Sequence, residues 1–260
     1  MRYTLPLAAT GPQPFDRRFQ DVHPLIPRAQ LPETINLGEW LGPMYNQNPA
    51  GLGECSGESG AGAMDWLCRR YRAEAFVGSG TGLYEVERQL IGQLGQDTGA
   101  RLRQTQIAMQ TVGVWDLILD PDTRADFETA ITPAMIASAA KHRIRDGLWC
   151  PTLDEILNAL AHPTTPVVVQ VGIVVYPSFE AQATMASGIV PMPGSGENPL
   201  GGHAVLAFGA DFKRGLVFLR NSWGPCYGAE IGGPGYGNFA LPFAYFAGPR
   251  TFLSARAYSL

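Results

Sequence analysis

Charged residues and long apolar runs are both scarce in this sequence. Only 16% of its 260 residues are charged, against ~25% in an ordinary soluble domain. No basic run or stripe is present, which argues against nucleic-acid binding. No apolar run approaches the ~18 residues of a transmembrane helix, and the apolar core of the first ten residues is too short for a signal peptide. We therefore expect no nucleic-acid or membrane partner, and a protein that is cytoplasmic or exported without a signal peptide. The oligomeric state stays open.

Cysteine is scarce as well, and its positions lack the spacing of a metal site. Cys55, Cys68, Cys150 and Cys226 are scattered, with no Cys-x-x-Cys pair. We therefore expect no metal and no cofactor. Cys68 and Cys150 are predicted to be buried core residues, the usual place for a free cysteine. Cys55 differs, because it follows a glycine-rich loop where a core residue is not expected.

Glycine and proline are abundant instead, with 31 and 21 residues. Residues 1–30 are rich in proline, arginine and glutamine and are predicted to form an extended N-terminal arm. A domain of residues 31–260 follows. Its helical lobe is predicted at about 46–150, and its strand-rich lobe at about 151–260 together with 31–45. Helices followed by strands indicate an α+β protein with two lobes and a cleft between them.

The segment after Cys55 has apolar residues at helical spacing and predicts a helix that ends near Arg72. Cys55 would stand at its N-terminus, where the helix dipole lowers the pKa of a thiol below its free value of ~8.5. Three glycines, Gly57, Gly60 and Gly62, each cost a helix up to ~1 kcal/mol relative to alanine. We therefore expect this helix to be central, buried and closely approached by neighbouring chain.

Further helices are predicted at 83–94, at 102–112 with Asp97-Thr98-Gly99 as its cap, and at 153–160. The β-branched run at 167–175 predicts a buried strand.

Two apolar runs, 201–209 and 215–224, flank a turn and predict an antiparallel hairpin centred on Phe212. In that register His203 lies directly opposite Asn221, with Cβ atoms ~4.5–5.5 Å apart. The hairpin would thus bring an imidazole and a side-chain amide to one point.

These segments together resemble the papain-like cysteine peptidases, and most closely the bacterial and phage branch. The resemblance rests on Gly-Leu-Gly-Glu-Cys55-Ser, Gly-Gly-His203-Ala, Arg-Asn221-Ser-Trp223-Gly and Gly235-Tyr236-Gly237. The His203 position follows Cys55 by 148 residues, within the ~130–150 of this arrangement. The resemblance implies a papain-like two-lobed fold, with a helical lobe and a β-barrel-like lobe on either side of the active-site cleft.

The resemblance also implies the roles of individual residues. Cys55 would be the nucleophile, His203 the acid and base, and Asn221 the group that orients the imidazole. Trp223 would shield the histidine–asparagine bond, and Gly99 and Gly202 would border the substrate. For Asp97-Thr98-Gly99, the alternative of a simple helix cap stays open.

The second oxyanion donor departs from the family pattern. The family glutamine lies six residues before the nucleophile, whereas Gln47 lies eight before Cys55. A two-residue insertion would reconcile the spacing, and Asn48 is the alternative donor.

A second departure concerns the N-terminus. The 30 residues that precede the domain are fewer than the usual helical propeptide. We hypothesise that they act as a short flap over the cleft.

Three functions fit this sequence. The first is a cysteine endopeptidase acting on a protein or peptide through a thioester. The second is another thiol acyl-transfer enzyme, such as a cell-wall amidase, an isopeptidase or a transpeptidase. The third is a catalytically silent papain-like module that binds peptides.

Overall fold

The computed structural model describes Leu7, Gln13 and residues 16–127, 130–232 and 236–260. Gly235, which carried part of the family motif, lies outside the described residues, as do residues 1–6, 8–12, 14 and 15 of the predicted arm. The described part of the arm is not wholly extended, because it includes a short helix and a turn of 3-10 helix. Phe19 of that helix is buried, and Arg18 forms an ion pair with the buried Glu155 at 2.8 Å.

Eight α-helices occur in the described residues: α1 (Phe19–Val22), α2 (Cys55–Arg72), α3 (Gly80–Gln89), α4 (Leu102–Thr111), α5 (Arg124–Phe127), α6 (Pro133–Ala139), α7 (Leu153–Leu160) and α8 (Gln182–Ser187). Turns of 3-10 helix lie at Arg28–Gln30, Gly38–Trp40, Leu117–Leu119 and Phe243–Phe246. Among these described helices, none has the length and apolar character needed to cross a membrane.

The strands are β1 (Thr34–Asn36), β2 (Asp146–Trp149), β3 (Val169–Val175), β4 (Gly201–Asp211), β5 (Leu216–Arg220), β6 (Asn238–Pro242) and β7 (Phe252–Ser259). They form one antiparallel sheet in the order β2-β7-β3-β4-β5-β6, with β1 paired to β4. The strand-rich lobe is therefore an open sheet and not a closed barrel. Although β2 falls within the range predicted for the helical lobe, it pairs with β7 and belongs to the sheet.

Helix α2 is the central helix that the sequence predicted, with the predicted bounds. It packs against α3 and α4 on one side and against β4 on the other. Its N-terminal residue is Cys55, so this packing joins the helical elements to the sheet at the nucleophile candidate.

The predicted helix at 83–94 is wrong at both ends. The structure has α3 from Gly80 to Gln89, and Leu90, Ile91 and Leu94 are exposed in the turns that follow. Those turns contain Gly92 and Gly95 in the left-handed conformation, which ends helical geometry despite the apolar spacing.

The predicted cap of α4 is wrong as well. This helix begins at Leu102, and its N-terminus is closed by a hydrogen bond from the Arg101 N–H to the Gln104 side chain. Asp97 instead accepts hydrogen bonds from the Gly53 N–H and the Tyr84 hydroxyl, both at 2.9 Å. The Asp97 segment thus ties the loop before Cys55 to α3.

The β4–β5 hairpin is present, but its predicted register is wrong. The ladder runs from Asp211↔Leu216 to Leu206↔Arg220, with a bulge between Ala207 and Gly209. Asn221 therefore lies one residue beyond the last pair, whereas His203 lies three residues beyond it and pairs across β3 with Ile173. The two side chains still meet beyond the end of the ladder, where Asn221 Oδ1 lies 2.7 Å from His203 Nε2.

Two glycines of α2 differ in what surrounds them. A Cβ added to Gly57 would lie 2.2 Å from the Gly80 carbonyl oxygen and 2.9 Å from the Tyr84 nitrogen, both backbone atoms. A Cβ added to Gly62 would have its nearest neighbour, a Leu206 methyl, at 3.6 Å. Of these two glycines, Gly57 is the one that the close approach of the α3 backbone requires.

We predict that Gly57→Ala lowers the free energy of unfolding by ~1–3 kcal/mol, the usual cost of overpacking. The matched substitution Gly62→Ala should instead raise it by up to ~1 kcal/mol, through helix propensity. Urea unfolding of the two variants and the parent chain measures both values. Equal effects of the two substitutions would contradict the proposed α2–α3 contact.

Candidate active site

Cys55 is the first residue of α2 and is almost completely buried, with 1% of its surface exposed. It lies in a small apolar cluster with Leu7, Leu102 and Ala204. A backbone hydrogen bond from Ala204 reaches its thiol. Because Ala204 follows His203 in β4, this contact places the cysteine beside the histidine strand.

His203 is fully buried and is held by two neighbours. Its Nε2 lies 2.7 Å from Asn221 Oδ1, and its ring stacks on Trp223, with centroids 4.7 Å apart and an angle of 27°. The asparagine oxygen is an acceptor, so Nε2 carries the hydrogen and Nδ1 is the basic nitrogen of the neutral ring. Nδ1 makes no hydrogen bond within the described chain.

Gln47 lies against the segment that carries Asn221. Its Oε1 accepts a hydrogen bond from the Ser222 hydroxyl at 2.7 Å, and its Nε2 donates to the Leu52 carbonyl at 3.2 Å. The alternative donor, Asn48, uses its side-chain amide to bind the Trp223 carbonyl at 3.0 Å.

The predicted substrate-binding glycines lie in different surroundings. Gly202 is buried in β4, and its carbonyl accepts a hydrogen bond from the Leu7 N–H at 3.2 Å. Gly99 donates its N–H to the Tyr84 hydroxyl at 2.8 Å, and its carbonyl accepts a hydrogen bond from Arg88. The substrate role of Gly99 stays a prediction.

Burial dominates the ionisation of the two reactive groups. It raises the pKa of the Cys55 thiol to about 12, with a further contribution from Glu87. It lowers the pKa of the His203 imidazole to about 4, against the opposing hydrogen bond to Asn221. The expectation that the helix dipole lowers the thiol pKa is therefore wrong for this closed arrangement, because desolvation outweighs the dipole.

Three buried glutamates beneath Cys55 were missed from the sequence. Burial raises the pKa of Glu54, Glu58 and Glu87 above the ordinary carboxyl range. Glu87 accepts a hydrogen bond from the Ser56 hydroxyl at 2.5 Å. Glu54 and Glu58 flank Cys55 on a helix predicted to be buried, and that placement was the signal available in the sequence.

Leu7 covers the site. Its side chain is buried in the Cys55 cluster, and its backbone passes so close to β4 that a Cβ on Gly202 would lie 2.1 Å from the Leu7 carbonyl oxygen. The cleft expected between the lobes is thus closed at Cys55 by a residue of the N-terminal arm.

We predict that the parent chain becomes less stable to unfolding as the pH rises from about 4.5 to about 7, and that Glu87→Gln abolishes the part of that decrease that comes from Glu87. In the folded chain Glu87 keeps its proton up to a pKa of about 7, whereas the unfolded chain ionises from about pH 4.5. Between these values the unfolded state is favoured as pH rises, by up to about 3 kcal/mol at ~1.4 kcal/mol per pKa unit. Thermal unfolding across this window should show the parent losing stability relative to Glu87→Gln.

The control for that comparison is Glu39→Gln, which changes an exposed glutamate. Parallel pH profiles for the parent and Glu87→Gln would contradict the assignment.

The whole fold is similar to solved cysteine proteases. Xylellain, a cysteine protease from Xylella fastidiosa, superposes with a TM-score of 0.83 and 20% identity, over 100% of this chain and 97% of that one. Digestive procathepsin L 3 of the Tenebrio molitor larval midgut gives a TM-score of 0.66 and 15% identity, over 94% and 76% of the two chains. Bromelain from Ananas comosus gives a TM-score of 0.63 and 13% identity, over 88% of this chain and 100% of the bromelain chain.

Sequence comparison finds a similar protein in a virus. An uncharacterized peptidase C1-like protein of Acanthamoeba polyphaga mimivirus is 29% identical over an alignment of 206 residues that covers 75% of this chain. The chain spans 63% of the length of that relative. No protein-family model matches the chain. The solved structures confirm the fold that the motifs implied: the chain has the papain-like α+β fold.

Proposed function

We propose that this chain is a cysteine endopeptidase that cleaves peptide bonds through Cys55, His203 and Asn221. The observation that carries the proposal is the orientation of the His203 ring and the position of its hydrogen on Nε2. Its Nε2 donates to Asn221 at 2.7 Å, which leaves Nδ1 as the basic nitrogen, and His203 directly precedes Ala204, whose backbone N–H reaches the Cys55 thiol. A thiol next to an imidazole that is oriented by a third group is the arrangement of an activated nucleophile.

The reaction proceeds by two acyl transfers. His203 Nδ1 takes the thiol proton as the sulfur attacks the carbonyl carbon of the peptide bond. The imidazolium then gives that proton to the leaving amine, and a thioester remains on Cys55. Water then attacks the thioester while it gives a proton to Nδ1. The carboxylic acid leaves, and the imidazolium returns that proton to the departing sulfur, which restores the thiol.

The oxyanion of each tetrahedral intermediate needs hydrogen-bond donors already in place. The Cys55 N–H is one candidate, since the first N–H groups of a helix have no intrahelical acceptor. Gln47 is the second. Its oxygen is fixed by Ser222, and its amide nitrogen has a second hydrogen besides the one donated to Leu52.

Leu7 marks where a substrate would bind. Its N–H donates to the Gly202 carbonyl, and its side chain lies in a pocket with Leu102, Ala204 and Leu253. A substrate could replace both contacts with its own backbone N–H and an apolar side chain. The arm residue therefore competes with substrate and keeps the thiol dry and protonated until it leaves.

We predict that the protein cleaves casein and that Cys55→Ala and His203→Ala abolish the cleavage. Loss of the acid and base should cost at least ~10²-fold in kcat/KM. The matched controls, Cys226→Ala and His162→Ala, remove a cysteine and a histidine outside the site and should retain activity.

The alternative functions give different results in the same assay. Digestion of peptidoglycan but not of casein would indicate another thiol acyl-transfer enzyme and contradict the proposed endopeptidase activity. Failure of both, together with no alkylation of Cys55, would indicate a silent binding module.

We further predict that Leu7→Asp accelerates alkylation of Cys55 and raises kcat/KM. An aspartate would be unfavourable in the apolar cluster, so the arm would leave the site and water would enter. The rate of iodoacetamide labelling at neutral pH measures the change. Ile118→Asp, at a residue that is 84% exposed, is the control. Equal labelling rates in the parent and Leu7→Asp would contradict the proposal that the arm covers Cys55.

A further inference from the structure

The last turn of α2 carries a cysteine that faces a carboxylate and an imidazole. Ala73 ends the helix in the left-handed conformation, at φ 52°, and turns the chain back. The Glu74 N–H consequently donates to the Cys68 carbonyl at 3.2 Å. The Cys68 sulfur, a Glu74 carboxylate oxygen and a His142 ring nitrogen all lie within 4.8 Å of one another.

The His142 ring is held rigidly in this group. It stacks on Phe76, with centroids 3.8 Å apart and an angle of 21°. Its backbone is fixed as well, because its N–H donates to Ala139 and its carbonyl accepts from Val114. The imidazole is therefore positioned independently of its contact with Glu74.

The hydrogen bonds of the ring leave two acceptor atoms of His142 and Glu74 facing each other without a donor. His142 Nδ1 lies 3.2 Å from the Ser138 carbonyl, so it carries a hydrogen. Nε2 of the neutral ring is then an acceptor, and it faces the acceptor Glu74 Oε1 at 2.9 Å. Two acceptors 2.9 Å apart need a proton between them, and a tetrahedral metal ion with bonds of ~2.0–2.1 Å would replace that proton if the two atoms moved apart by a few tenths of an ångström.

We propose that Cys68, Glu74 and His142 form a binding site for a divalent transition-metal ion of the zinc type. Thiolate sulfur, imidazole nitrogen and carboxylate oxygen are the ligands that zinc takes in proteins. A thiolate and a carboxylate together balance the charge of a divalent ion. A backbone carbonyl on the other ring nitrogen is the usual support of a metal-bound histidine, and Ser138 supplies it.

The surroundings suit three protein ligands and one from solvent. Only 7% of the His142 side chain is exposed, and Cys68 is fully buried, but 43% of the Glu74 side chain is open to water. A water molecule can therefore complete a tetrahedral set from the glutamate side.

The proposed metal site lies away from the candidate catalytic residues, so its role would be structural. Cys68 lies 13 residues after Cys55 along α2, which corresponds to ~20 Å at 1.5 Å per residue. A metal ion there would fasten the C-terminal end of α2 to the loop after α6 and touch none of the reacting groups.

Cadmium titration of the full chain tests the site. The parent for this experiment carries Cys55→Ala and Cys226→Ser, so that neither the candidate nucleophile nor the exposed thiol binds the probe. We expect one equivalent of Cd²⁺ to bind with thiolate-to-metal charge-transfer absorption in the ultraviolet. Zn²⁺ should compete for the site and raise the Tm.

Variants identify the ligands. Cys68→Ala should lose the absorption, and Glu74→Gln and His142→Gln should each weaken binding by at least ~10-fold. Cys150→Ala removes another buried cysteine and should leave binding unchanged. Glu74 is half exposed, so its variant keeps the test valid even if Cys68→Ala fails to fold.

Two results would overturn the proposal. One is the absence of thiolate absorption on addition of Cd²⁺. The other is absorption that survives in Cys68→Ala. In either case the three side chains are in contact without forming a metal site.

Discussion

The packing of the α2 N-terminus against β4 is the contact on which the rest of the site depends. It puts Cys55 beside Ala204, and therefore beside the strand that carries His203. Neither element could supply the site alone, because the sulfur belongs to a helix and the imidazole to a sheet. The small residues in the interface allow the approach: Gly57 admits α3 behind the helix, and Ala204 admits the thiol in front of it.

The same packing excludes water and so decides the charge of the resting site. A buried thiol and a buried imidazole are both more stable without charge, and the burial of Cys55 and His203 shifts their pKa values apart in that direction. The buried carboxyl of Glu87 adds to the effect at the thiol. Departure of Leu7 would admit water and substrate together, which couples activation of the nucleophile to access.

The sequence predicts well those features that depend on local pattern. The bounds of α2 follow from apolar spacing and its glycines, and the contact between His203 and Asn221 follows from the hairpin. The hairpin register does not, because the ladder closes at Asp211↔Leu216 around a four-residue turn at 212–215 instead of around Phe212, and the bulge between Ala207 and Gly209 then shifts the pairing by one residue. Likewise, a turn rich in glycine ended α3 where the apolar pattern continued through Leu94.

The sequence suggested an N-terminal flap over the cleft, but it could not identify the individual contacts between distant segments. Leu7 meets Cys55 across 48 residues of chain, and Glu74 meets His142 across 68. The absence of Cys-x-x-Cys spacing predicted no metal site, whereas the set that we propose at Cys68, Glu74 and His142 is of a mixed kind that has no fixed spacing in a sequence. The prediction of a lowered pKa for the Cys55 thiol was wrong for a related reason. The position at a helix N-terminus can be read from the sequence, whereas the burial that raises the pKa cannot.

The charge of His203 in the resting protein tests the central claim most directly. Its ring nitrogens can be followed by ¹⁵N NMR of histidine-labelled protein, with the parent compared to a His203→Ala variant to assign the signals. At neutral pH we predict a neutral ring with its hydrogen on Nε2, charged only as the pH falls towards about 4. An imidazolium signal at neutral pH would contradict the account, because it would mean that a thiolate–imidazolium pair exists beneath the cover.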